Sequence, residues 1–298
     1  MKALRRSLIP WLGILALLLA ACGPAATATP RPVAAQPTPT PATPIKIGLM
    51  GEFTGPFAAV QKRLYDTLTW MFEQDGMKVA GRPIEFVYAD DEGKVDVFMS
   101  KVQRLLEIDK VSLIVGPIHS GIAATARDWI AQQPTVWVIP EVGTVQFYPG
   151  DNAVRTVATS WHNALPEIGK YMADTYGVKK AVTIALDYAA GRDYVAGQVK
   201  QVLPGGNIQV VQQLWTPIGT ADFGPILSKV QVGQDVMITG ALWGADAVRF
   251  MQQATDFGIK DKVKVIAFPA SYAVDDLGLA PLGKAAEGMF NWNEMPPP

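Results

Sequence analysis

From residue 45 onward, short apolar runs alternate with longer stretches whose apolar residues recur at helical spacing. That alternation limits the chain to layered α/β architectures. Ile45-Lys46-Ile47-Gly48-Leu49-Met50 has strand length, and Val60, Leu64, Leu68 and Met71 follow at helical spacing. Ile84 to Tyr88 reads as a strand. Val95, Phe98, Met99, Val102, Leu105 and Leu106 then form the clearest amphipathic helix of the chain. Ser112–Val115 and Thr135–Ile139 are further strands, with a helix near Ile122–Ala131 between them. Strands linked by helices in this order predict right-handed crossovers and a mainly parallel sheet covered on both faces.

A second set of elements follows Arg155. Helices are expected near Asn163–Thr175, Arg192–Leu203, Phe223–Val230 and Ala245–Phe257. Strands are expected at Ala181–Leu186, Ile208–Leu214, Asp235–Thr239, Val263–Phe268 and Gly288–Trp292. No close repeat relates the two sets, but their similar order predicts two α/β lobes, 45–155 and 156–290, joined near 150–160. Residues 291–298 read as the start of a return crossing that ends in Pro296-Pro297-Pro298.

The first 44 residues have no such pattern. Lys2, Arg5 and Arg6 precede a 14-residue apolar run, Leu8 to Ala21. A spanning helix needs about 20 apolar residues, so residues 1–21 read as a secretory signal. The run ends Leu19-Ala20-Ala21-Cys22, and small residues before a lone Cys resemble the bacterial lipobox. That resemblance implies cleavage before Cys22 and lipidation of its sulfur, which would anchor the chain to a membrane. The alternative is a plain signal peptide with an incidental Cys. Of the 22 residues 23–44, 18 are Pro, Ala or Thr. Residues 22–44 therefore read as an extended tether, with at most ~70 Å of reach at ~3.1 Å per residue. The expected location is extracytoplasmic.

Composition removes several function classes. Net charge is −1, and no Lys/Arg run exists to grip phosphates, which argues against nucleic acid as a partner. One Cys and two His cannot build a zinc site or a disulfide framework. No G-x-G-x-x-G, G-K-[ST] or G-x-S-x-G occurs, so no nucleotide cofactor, metal or nucleophile elbow is expected.

In open parallel sheets, ligands bind beyond the carboxyl ends of the strands. Those ends carry Glu52-Phe53-Thr54, Asp90-Asp91, His119-Ser120-Gly121 and Glu141-Val142-Gly143-Thr144 in the first lobe. The second lobe offers Asp187-Tyr188, Leu242-Trp243 and Ser271-Tyr272. Hydroxyls, aromatics and free N–H groups facing one another suit a small polar solute. Ser120 precedes a helix and can act as its N-cap, or its neighbouring N–H groups can hold an anion. Asp90 and Asp91 read as a strand-ending turn or, less simply, as an acid/base pair. His119, beside a helix start, could titrate usefully but reads more simply as structural, and His162 reads as a cap or a solvent-facing residue. An exposed Trp243 indole at the rim could stack on a ligand.

These residues resemble the periplasmic-binding type I proteins, specifically the branched-chain amino acid (leucine/isoleucine/valine) solute-binding subunits of ABC transporters. The matching stretches are Ile45–Gly48 through Thr54-Gly55-Pro56, Tyr88–Asp91, Ile114–Pro117 with Ser120, Ile139-Pro140, Arg155-Thr156 and Asp187–Asp193. They run in order over most of residues 45–292. The resemblance implies a two-lobed fold with a hinge, no catalysis, capture of an amino acid or related carboxylate or amide by lobe closure, and an ABC permease as partner. A ligand-sensing ectodomain feeding a signalling partner is the alternative on the same fold.

Carried over by position, Ser120 and the Ile118–His119 backbone correspond to the family's carboxylate site. Glu141 and Gly143, or Thr144 if the loop slips by one, correspond to the loop contacting the amino group and carboxylate. Tyr188 corresponds to the opposite-lobe contact, and Leu242 or Trp243 falls near an aromatic that covers the ligand. The family's acidic partner for a ligand ammonium corresponds to Ala270, and a first-lobe tyrosine to Val60. Either the ligand lacks a standard α-ammonium, or Glu141 supplies the missing negative charge. The resemblance implies further C-terminal elements that would complete the lobes and the hinge crossings.

Overall fold

The computed structural model describes residues 43–140, 142–144, 151–155, 166–269 and 280–292, apart from the side chains of residues 269, 291 and 292. The first lobe runs through β1 (Ile45–Gly51), α1 (Ala58–Gln74), β2 (Lys78–Val79), β3 (Arg82–Asp90), α2 (Val95–Glu107), β4 (Leu113–Val115), α3 (Ser120–Ala131), β5 (Val136–Ile139) and β6 (Ala153–Arg155). Its strands form one sheet in the order β2-β3-β1-β4-β5-β6. All pairings are parallel except the short β2–β3 pair, which was not expected from the sequence. Lys78 and Val79 are too few to show a strand period, and only the reversal at Ala80-Gly81 creates the pairing.

The second lobe runs through α4 (Pro166–Tyr176), β7 (Lys180–Leu186), α5 (Ala189–Gly197), a π-helical turn (Gln198–Val202), α6 (Leu203–Gly205), β8 (Gln209–Thr216), α7 (Gly224–Leu227), β9 (Gly233–Ala241), α8 (Gly244–Asp256), β10 (Val263–Pro269) and β11 (Met289–Trp292). Its sheet has the order β11-β10-β9-β7-β8 and is parallel among the described residues.

Both sheets are sandwiched between helices. In the first lobe, Phe98, Val102 and Leu105 of α2 join Ile122 and Ile130 of α3 over one face, around fully buried Trp137. Tyr65 of α1 packs with Leu49 and Ile84 on the other face. Burying each such side chain is worth about 1.5–3 kcal/mol, so both faces must be covered for the lobe to hold. The second lobe repeats the plan. Phe223, Phe250 and Phe268 lie on one face, and Met172, Leu203 and Met237 on the other.

Strand order decides where the loops gather. β1 has β3 on one side and β4 on the other, so the chain switches direction there. β7 holds the same place between β8 and β9. Such switch points open a crevice beyond the strand ends. The crevice loops are thus 52–57 and 116–119 in the first lobe, and 187–188 and 242–243 in the second.

Candidate functional site

Loop 116–119 begins at Gly116, with φ +112°; a Cβ there would lie 1.8 Å from the Met50 carbonyl oxygen. Only glycine can make that approach, and it lets the chain turn from β4 directly into α3. The cap of α3 differs from expectation. Its N-cap is His119, whose Nδ1 accepts hydrogen bonds from the backbone N–H of Gly121 (3.1 Å) and Ile122 (3.3 Å). Ser120 is instead the first helical residue. It is buried, and its Oγ accepts from the Gly143 N–H at 3.0 Å. The hydroxyl therefore ties α3 to the loop after β5. Ile118 packs its side chain against the second lobe's core.

The loop carrying Gly143 and Thr144 is held from behind. Arg155, at the end of β6, donates to the carbonyls of Val142 and of Thr144, the latter at 3.3 Å. Thr144 is fully buried, and its hydroxyl donates to Asp193 Oδ2 of α5 at 2.6 Å. That bond joins the two lobes. Neither Arg155 nor Asp193 had been assigned a role from sequence. Both lie in stretches that match the family, but a contact between residues 49 apart in the chain leaves no local signal.

Aromatic rings make the rest of the junction. Phe57, at the start of α1, belongs to the second lobe's hydrophobic core. Its ring centroid lies 5.8 Å from His119 and 6.3 Å from Tyr188, while His119 and Tyr188 are 5.4 Å apart. Trp243 stands edge-on to Tyr188 at 5.9 Å and to Tyr194 at 4.8 Å. The indole expected at an exposed rim is only 7% exposed, because Tyr194 and Tyr188 pack against it. Leu242 is buried in the second lobe's core. At Gly244 (φ +56°) a Cβ would sit 2.9 Å from the Pro56 carbonyl, so the lobes touch here backbone to backbone.

The carboxyl ends of β1 and β3 hold a charged cluster. Asp90 accepts from the Phe53, Thr54 and Glu92 N–H groups and from the Thr54 hydroxyl at 2.7 Å. Against the desolvation of its site, these bonds keep Asp90 below the usual carboxylate range. Asp91 Oδ1 accepts from the Gly93 N–H at 2.9 Å. Together these bonds favour the turn reading over an acid/base pair. Burial, with Asp90 adding to it, raises Asp91 to about 6. Glu52 accepts from the Phe57 N–H at 3.0 Å, which sets the entry to α1. Burial, added to by Asp91, Asp90 and second-lobe Asp246, outweighs that bond and lifts Glu52 to about 7. Burial also holds the His119 imidazole neutral, at about 4.

The structure thus brings Ile118, His119, Ser120, Gly143, Thr144, Tyr188 and Trp243 to one junction between two rims. Cys22, Glu141, His162 and Ala270 lie outside the described residues, as do Ser271 and Tyr272. No group of His, Cys, Asp and Glu arranged to hold a metal occurs among the described residues. No described helix is long and apolar enough to cross a membrane.

Comparison with known proteins agrees with this layout. A Leu/Ile/Val-binding protein homolog of Brucella melitensis is 26% identical over 250 residues, which is 83% of this chain but 63% of the relative's length. The chain therefore spans less than two thirds of that relative. An ABC transporter substrate-binding protein from Sphaerobacter thermophilus superposes with a TM-score of 0.67 at 28% identity, over 83% of this chain and 67% of that one. A solute-binding protein of an ABC transporter from Rhodopseudomonas palustris, solved with 3,4-dihydroxybenzoic acid, gives 0.71 at 26% identity over the same shares. The family model described as periplasmic binding protein matches residues 44–297, and the chain belongs to that family.

Proposed function

We propose that this protein is the extracytoplasmic solute-binding component of an ABC transporter, held at a membrane through lipidated Cys22 and the tether 22–44. It captures a small carboxylate between its lobes and passes it to a permease. The observation that carries this reading is the meeting of two strand-end rims, with first-lobe His119 5.4 Å from second-lobe Tyr188. The names of the relatives support it: one is a Leu/Ile/Val-binding protein homolog, another was solved with an aromatic acid. Amino acids and aromatic acids share a carboxylate, so that group is the proposed common handle. No catalytic group is needed.

On this reading the Ser120 hydroxyl donates to the carboxylate while its oxygen keeps the Gly143 N–H, Thr144 and Tyr188 engage from either lobe, and Trp243 braces Tyr188. Glu141 and Ala270 are the remaining proposed contacts. Contacts with both lobes stabilise the closed arrangement, a population shift set by the solute's preference for that state.

The test is a thermal-shift and calorimetric screen against branched-chain amino acids, benzoate and hydroxybenzoates. A true solute at a hundredfold excess over its Kd stabilises by about 2.7 kcal/mol. Ser120→Ala should weaken that binding. A screen with no stabilising carboxylate would count against the proposal. Leucine binding that survives Glu141→Gln unchanged would remove Glu141 as the ammonium partner.

A further inference from the structure

We infer that the His119 side chain determines which solutes fit, by presenting an uncharged Nε2–H donor to an oxygen atom of the bound molecule. This rests on the solute-binding reading above and adds a recognition group that the backbone carboxylate site does not include.

The geometry assigns the tautomer. Nδ1 lies 3.1 Å from the Gly121 nitrogen and 3.3 Å from the Ile122 nitrogen, and both are N–H donors. A nitrogen that accepts from two donors presents a lone pair and carries no hydrogen. In a neutral imidazole the hydrogen then sits on Nε2. Protonating Nδ1 would set an N–H against two others at the positive end of α3, and the helix dipole opposes it further. Burial acts in the same direction. Near neutral pH the distal nitrogen is therefore a donor only.

Its placement gives the donor a use. The imidazole lies at the lobe junction beside Phe57 of its own lobe and Tyr188 of the other. No described residue accepts a hydrogen bond from Nε2. His119 is only partly buried, so Nε2 can be reached at the junction, and a solute oxygen there would accept from it. A donor cannot receive an ammonium group, so the solute must turn a carboxylate, carbonyl or phenol oxygen towards α3. The flanking Phe57 and Tyr188 rings make the setting flat and apolar. An aromatic acid suits that setting better than a branched aliphatic amino acid does.

Two substitutions separate the two nitrogens. His119→Asn keeps an acceptor near the Nδ1 position and loses the distal donor. Asparagine is a good N-cap, so the melting temperature should change little. His119→Gln can place an amide NH2 near the Nε2 position but caps α3 poorly. Calorimetry would use benzoate, 4-hydroxybenzoate and leucine against the full chain. Affinity for whichever probe binds the wild type should fall about tenfold in His119→Asn and partly recover in His119→Gln. The aromatic acids should bind more tightly than leucine. In 15N-labelled protein, long-range 1H–15N spectra at pH 7 should show His119 protonated at Nε2 alone, with the Nε2 signal shifting on titration with the bound probe. Equal affinity in wild type and His119→Asn, or a proton on Nδ1, overturns the inference. A wild type that binds none of the probes fails the solute-capture reading itself. In that case the tautomer result still reports on the imidazole alone.

Discussion

The two rims that meet at the junction are built from different interactions. The first-lobe rim is polar. Its loops are set by hydrogen bonds: Ser120 to Gly143, Arg155 to the Val142 and Thr144 carbonyls, Glu52 to Phe57 and Asp90 to the loop at Phe53. The second-lobe rim is aromatic, with Tyr188, Trp243 and Tyr194 in mutual edge contact. Hydrogen bonds have direction, so a rim made of them can read the position of a solute's polar atoms. Ring packing has little direction but a large buried area, so it supplies stiffness and shape. The difference teaches that directional bonding and broad ring packing are placed on opposite sides of one junction.

Breaking the second rim should cost the most. Trp243→Ala removes a buried indole, and a loss of about 3–5 kcal/mol is expected, read as the unfolding free energy in urea. If the loss were under ~1 kcal/mol, Trp243 would be a ligand contact with no bracing role, and the contrast between the rims would fail.

Glu52→Gln probes the first rim through its pH dependence. The folded carboxyl, at about 7, lies above its ordinary 4.5, so the native state holds the proton more tightly than the unfolded chain does. Its stabilising contribution is complete below pH 4.5 and is lost as pH rises through 7. The amide of the variant would stay neutral and its oxygen would still accept from the Phe57 N–H. The variant should melt a few degrees higher than wild type at pH 8, a gain of about 1–2 kcal/mol, and equal it near pH 4. A gain that is the same at both pH values would show that the carboxyl does not titrate in this window.

The smallest effect is expected where the rims touch. Thr144→Val keeps the volume but deletes the bond to Asp193. Solute affinity should fall about fivefold, near 1 kcal/mol, with the melting point of the unliganded protein little changed. An unchanged affinity would mean that this bond plays no part in holding the lobes together.

Much of the frame was legible because it rests on local periodicity. The apolar spacing of α2 and the near-continuous apolar runs of β1 and β7 mark their elements without any knowledge of neighbours. Tyr188 and His119 could be placed at strand ends for the same reason. The cap of α3 was misread because serine is the commoner N-cap residue, and nothing local shows that the preceding imidazole can reach both N–H groups. Trp243 was expected to be exposed because a strand-end position is a rim position; Tyr194 and Tyr188, from another part of the chain, cover it. Phe57 looked like an ordinary residue at a helix start, and its place in the other lobe's core is set by the approach of Pro56 to Gly244. Such features depend on pairs far apart in the chain, and no window of sequence contains both members.

Arg155 occupies the last position of β6, where the described part of the first lobe ends, and the next described helix packs in the second lobe. Its guanidinium grips the loop that carries Gly143 and Thr144. The end of the first sheet and that loop are thereby one lever. A swing of one lobe against the other would be felt in that loop through the Arg155 side chain, as a pull on two carbonyls.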